Sequence, residues 1–417
     1  MRPRKESTVP ATPNITTSSP GSTGGIPRLR PCSIPLLSYG FRPFFLGAAA
    51  WACVAMVLWL GLLDGAWSFA KGYGAVAWHS HELLFGYIPA VMTGFLLTAI
   101  PNWTGRMPLQ GGPLLGLVSL WLAGRVTMLM TDVIGSPAAA IIDAAYLFVL
   151  AAVIMREIVA GKNWRNLKVA LLVFLVALAN VTFQAEVVLG GVPDYGIRIG
   201  IAAVVTLIML VGGRVTPSFT HNWLARQGDE KRPAPLGWFD FVSIGAMALA
   251  LLGWIAAPLW PPTGIALLVG ALLQAMRLAR WAGERTWREP IVFILHLGYA
   301  FVPLGALTLG ISILWPDVIA PTGALHAWTT GAMGAMTLAV MTRATRGHTG
   351  RSIESTLPTA VIYGAILVAA CARIAAPVFP AAYFGMLCIA AIGWIVAFGG
   401  FVASYGPMLV QAKRTGS

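Results

Sequence analysis

The chain has 417 residues, 57% of them hydrophobic and only 10% charged, with a formal net charge of +13, and its mean hydropathy is +0.76. This composition excludes a soluble globular protein and reads as membrane-embedded. The basicity does not read as nucleic-acid binding, because the cations are dispersed among many short loops instead of forming one stripe.

In chain order, residues 1–37 come first, rich in Ser, Thr, Pro and Gly (STVPATPNITTSSPGSTGG) and without an apolar core. They read as a disordered cytoplasmic tail, not a cleaved signal, and the Asn14-Ile15-Thr16 sequon reads as chance. Twelve apolar stretches follow within 38–410, at 40–63, 76–100, 112–130, 136–160, 165–190, 196–216, 237–257, 262–281, 291–315, 323–342, 357–376 and 380–405. Each is long enough to cross about 30 Å of hydrocarbon at about 1.5 Å per residue. The expected fold is therefore an all-α polytopic membrane protein of about twelve transmembrane helices. Lys and Arg alternate in abundance between successive loops. One side holds 24 of the 28 cations, and the other holds Lys71, Arg125, Arg198 and Arg373. The positive-inside rule then places both termini in the cytoplasm, which for a bacterial chain means the inner membrane. Cys32, Cys53, Cys371 and Cys388 show no CxxC spacing, so no disulfide framework is expected.

Span 10 and its exit loop overlay span 2 and its exit loop at a constant offset. His81 falls on His326, Gly86 on Gly331, and Thr104-Gly105-Arg106 on Thr349-Gly350-Arg351. Arginines near the starts of spans 1, 5 and 9 (Arg42, Arg165, Arg288) repeat at a similar interval. The pattern divides the chain into three four-helix sets, 40–160, 165–281 and 289–405, and such internal repeats commonly build sites at their interfaces.

The six histidines are the main candidates for chemistry, since an ionisable group inside a bilayer is costly and usually faces the bundle interior. On the expected topology His79, His81 and His326 lie near the periplasmic side, and His221, His296 and His348 toward the cytoplasmic side. His79 and His81 are two residues apart, about 200° around a helix, so their rings serve opposite faces. The register match makes His81 and His326 the expected axial pair of one haem. His79 would then serve a separate centre, a structural role or proton handling, with Glu82 as its orienting partner at i,i+3. His221, His296 and His348 would suit copper or a second haem. Met92, Met333, Met336 and Met341 read as packing. Asp143, Asn180, Gln184, Glu186 and Arg214 could serve haem propionates, a proton route or one another. Arg42, Arg106 and Arg351 either clamp carboxylates or phosphates or act as plain interfacial anchors.

Gly40-Phe41-Arg42-Pro43-Phe44-Phe45, Trp78-His79-Ser80-His81-Glu82-Leu83-Leu84-Phe85-Gly86, Gly94–Ala99 and Pro101-Asn102-Trp103-Thr104-Gly105-Arg106 together resemble the NnrS family. The likeness continues through Gly212–Thr220 and His326-Ala327-Trp328, covering nearly everything after the tail. The resemblance implies haem and copper as cofactors. It also implies nitric oxide or a related small molecule as partner, an unidentified electron donor, and a part in denitrification or in protection from nitrosative stress. Whether this includes a nitric-oxide-related oxidoreductase activity is left open by it. Twelve helices in three sets also resemble haem–copper oxidase catalytic subunits, although span 7 has no histidine, so their copper triad is missing. Transport of a metal, haem or small anion is the alternative function.

Overall fold

The computed structural model describes residues 32–413, all-helical without a strand among them. The expectations for the N-terminal tail and its sequon therefore lie almost wholly outside the described residues. The helices are α1 (Phe41–Asp64), α2 (Gly74–Thr104), α3 (Gly112–Leu129), α4 (Ser136–Ala160), α5 (Leu167–Val188), α6 (Asp194–Arg226), α7 (Trp238–Ala256), α8 (Pro261–Ala279), α9 (Pro290–Leu314), α10 (321–348), α11 (Leu357–Ala375) and α12 (Tyr383–Val410). Proline in the first turn opens α3, α4, α8, α9, α10 and α11, where its missing N–H costs nothing and its ring ends whatever precedes it. Gly65 and Gly105, both at positive φ, stop α1 and α2.

Eleven of these helices are long and apolar enough to cross a membrane by composition alone. The twelfth, α10, carries His326 and several threonines among its apolar residues and is helical throughout. Its crossing follows from the ends of the bundle. Arg42 Nη1 at the start of α1 donates to the Leu409 carbonyl at 2.8 Å and to the Gln411 carbonyl at 2.6 Å. The described termini thus share one face, hereafter the terminal face, and an even number of crossings is required. Exposed tryptophans mark both boundaries: Trp164, Trp238 and Trp287 at the terminal face, Trp67, Trp260 and Trp315 at the other.

Successive helices pack as neighbours, and α1 packs against α12, which brings the two ends of the helix order together. α2, α6 and α10 touch one another at the centre of the bundle. In the most apolar stretch of each helix, 83% of the residues of α2 and 67% of those of α6 are buried, against 33% in α1, and α9, packed on α10, reaches 72%. Two expectations change. α6 does not close at residue 216 but continues through Pro217 to Arg226, so the Arg214–His221 stretch is helical. Arg125 is not a loop cation: it is 2% exposed within the bundle.

The central helices share a local irregularity. Residues Glu82–Tyr87 in α2 and Ala327–Gly334 in α10 form π-helical turns, and each begins immediately after a histidine, His81 or His326. A π turn holds one extra residue and rotates the side chains beyond it, which is why such turns gather at functional sites.

Candidate functional site

The histidines of α2 face two different environments, as their spacing requires. His79 lines a cavity of about 460 Å³ at the end of the bundle opposite the terminal face. His326 of α10 lines the same cavity, with Met56 and Trp59 of α1, Ser80 and Tyr87 of α2, Met333 of α10, Arg373 of α11 and Trp394 of α12. The lining is mainly apolar and includes no Asp or Glu. The His79 ring stacks on Trp59, centroids 4.1 Å apart, and its Nδ1 has no hydrogen-bond partner. His326 Nδ1 lies 2.6 Å from the Thr322 carbonyl. A carbonyl only accepts, so Nδ1 carries the hydrogen and the Nε2 lone pair is left for another use.

His81 faces away from this cavity into a charged cluster. Its Nδ1 lies 3.0 Å from Glu82 Oε1 and its Nε2 2.9 Å from Asp143 Oδ2. Arg125 bridges the same two carboxylates, donating through Nη1 to Glu82 Oε2 at 2.5 Å and through Nη2 to Asp143 Oδ1. Trp51 Nε1 adds a bond to Glu82 at 2.8 Å, and the Asn180 and Gln184 amides donate to Asp143 Oδ2 at 2.8 and 3.1 Å. Tyr73 in turn donates to the Gln184 carbonyl oxygen. His81 Nε2 also lies 2.9 Å from the Gln184 amide nitrogen, which turns a hydrogen to Asp143 Oδ2; with a carboxylate oxygen at each ring nitrogen, a doubly protonated His81 lets one guanidinium and one imidazolium match two carboxylates. Gly86 is required here, because a Cβ would collide with Arg125 Nη1.

The geometry therefore changes the expected pairings. His326 shares its environment with His79, not with His81, whose ring nitrogens are both occupied. Glu82 serves His81 and Arg125 rather than His79. Arg42 is consumed capping the end of α12, and Arg106 pairs with Glu157 at 2.6 Å, both at the terminal face. His221, His296 and His348 do not converge, and among the described residues no group of three His, Cys, Asp or Glu could hold a metal ion. His296 is buried with Nε2 2.7 Å from Thr220 Oγ1, His221 on the next residue of α6 is exposed, and His348 packs on Phe41. Glu186 accepts from the first-turn N–H groups of Tyr195 and Gly196 in α6, and Arg214 donates to Asn166. Met333 lines the cavity and Met92, Met336 and Met341 do not.

Sequence reasoning passed over Trp59 and Arg373. Arg373 carried a usable signal, being one of only four cations on the poorly charged side. A second buried cluster was also missed: Arg277 of α8 pairs with Asp240 of α7 at 2.8 Å and donates to Tyr299 Oη of α9 at 2.6 Å.

Twelve long helices, three of them central, with two histidines presented to one cavity, define a multi-pass membrane protein. A family model described as NnrS protein matches residues 35–413, nearly the whole chain, and the chain belongs to the NnrS family. No curated protein matches it. Family membership supports a role related to the nitric oxide response in general.

Proposed function

We propose that this protein holds haem in the α2–α10 cavity, with His79 and His326 as the imidazoles offered to iron, and that it binds or turns over nitric oxide there. One observation carries the reading: two imidazoles on different helices line one apolar, acid-free chamber, and His326 is already fixed in the tautomer that leaves Nε2 free. Bound haem would supply an iron centre able to exchange electrons and, where one of the two imidazoles gives way, to take nitric oxide as a ligand. The protein's own part is to orient and exclude. Thr322 fixes the His326 ring, Trp59 fixes the His79 ring by stacking, and Met56, Met333 and Trp394 keep water from the chamber. On α2 and α10 the lining ends at Ile88 and Met333, and Tyr87 bonds Thr337 of α10 at 2.5 Å, which favours a chamber closed toward the terminal face over a transport path. The resemblance also implies copper, but the described residues offer no three-ligand cluster for it, and no position is assigned. With 24 of 28 cations on one side, we place the termini in the cytoplasm of a bacterial cell and the chamber toward the periplasmic side of the inner membrane.

The test is the optical spectrum of the purified protein. A Soret band with sharp reduced α and β bands is expected in the wild type, lost or turned high-spin in His79→Ala and in His326→Ala. An unchanged bis-imidazole spectrum in His79→Ala overturns the pairing, and a colourless wild type overturns the haem reading.

A further inference from the structure

Arg373 stands in the last turn of α11 and lines the chamber with the two histidines. Other buried arginines have partners: Arg125 has Glu82 and Asp143, Arg277 has Asp240, Arg198 has Asp194, and Arg42 and Arg346 have backbone carbonyls. Arg373 pairs with no carboxylate among the described residues. Its Nη1 is buried and has no hydrogen-bond partner, although the free carbonyls of the α11 terminus are the obvious acceptors for an arginine in that turn. A guanidinium in such a place is costly unless an anion is brought to it.

A second donor at the chamber wall is also unmatched. The indole N–H groups of Trp78, Trp121, Trp328 and Trp394 each donate to a backbone carbonyl, and that of Trp51 to Glu82. Trp59 is just as buried, at 7% exposure, and its Nε1 has no partner. A chamber whose polar lining consists of Arg373, Trp59, two imidazoles and a few hydroxyls has donors in excess and no carboxylate to absorb them.

We propose that Arg373 forms an anion subsite in the chamber, whose lining also holds the Trp59 indole N–H, and that the subsite takes a carboxylate or a small oxyanion. Its ligand is either the acidic edge of an amphiphile whose apolar body fills the rest of the chamber, or a free anion such as nitrite. The first source rests on the haem reading above, the second does not. An arginine fits because its planar fork takes two oxygens at once, which Lys cannot do.

Two measurements test the subsite on the full-length protein in detergent. In the first, haem dissociation and midpoint potential are measured for wild type, Arg373→Gln and Arg373→Lys. In the second, haem-free protein is titrated with acetate and with nitrite, followed by tryptophan fluorescence, in wild type, Arg373→Gln and Trp59→Phe. Arg373 makes no protein bond that either replacement would break, and the Lys variant keeps the charge. If the occupant is a haem carboxylate, Arg373→Gln releases haem roughly tenfold to a hundredfold faster, Arg373→Lys falls between, and free anions bind only the haem-free form. If the occupant is a free anion, nitrite binds the haem-loaded form as well, and Arg373→Gln abolishes that binding. Unchanged haem release and potential in Arg373→Gln, together with no anion binding that depends on Arg373, overturn the subsite. A wild type without haem overturns the haem reading alone and leaves the titration to decide.

Discussion

Replacing Arg125 with Met isolates the electrostatic balance beside α2. The cluster holds Glu82 and Asp143 against Arg125 and the doubly hydrogen-bonded His81, all essentially out of contact with solvent. Methionine keeps much of the volume and removes one positive charge, leaving two carboxylates to share one imidazolium. Removing one partner of a buried pair costs about 3–5 kcal/mol, which at about 1.4 kcal/mol per decade is roughly a hundredfold to a few thousandfold in the folding equilibrium. The assay is reversible unfolding in mixed micelles, followed by tryptophan fluorescence. The control is Arg125→Met with Glu82→Gln, which restores one carboxylate to one imidazolium. It is expected to recover at least about 1 kcal/mol relative to the sum of the single changes. A loss of less than about 0.5 kcal/mol in Arg125→Met, or strict additivity in the double variant, would refute the charge balance.

Three other outcomes are expected. His81→Gln lowers stability but leaves the absorption spectrum of any chamber-bound haem intact, so loss of that spectrum at wild-type folding would return His81 to the ligand set. Gly393→Leu should destabilise by about 1–3 kcal/mol through overpacking, because a Cβ there would lie 2.8 Å from the Ala365 carbonyl and 3.0 Å from Ala369 Cβ where α11 crosses α12; thermal unfolding in detergent checks it. Reporter fusions at Gly65, Gly191 and Gly323 should report the periplasm and fusions at Gly161 and the C-terminus the cytoplasm, and a mixed pattern within either set would break the twelve-crossing order.

The crossings were legible because a span needs only an unbroken apolar run, and Pro and Gly at the joints punctuate the runs. The opposite facing of His79 and His81 was equally legible, since two residues fix an angle around a helix. Which of the two shares a chamber with His326 was not. That depends on how α2, α6 and α10 rotate against each other, and the π turns after His81 and His326 alter the phase of both helices. Nor did hydropathy show that Arg125, near the end of α3, turns inward: a cation near a span end looks the same whether it reaches headgroups or a carboxylate on another helix. Pro217 misled for a related reason, because a proline ends a helix in water but is carried through where neighbouring helices support the backbone.

The bond from Arg42 to the carbonyls of residues 409 and 411 also orders events during biosynthesis. α1 is synthesised before α12, so a guanidinium only 3% exposed in the folded bundle has only water and headgroups as acceptors until residues 409–411 reach it. The seam between α1 and α12 therefore seals only after the ten helices between them have been made, and until then Arg42 lies at an open edge beside Phe41. Until α12 has docked, α1 presents an open edge, the kind of transiently exposed surface that makes partly assembled chains prone to misassembly.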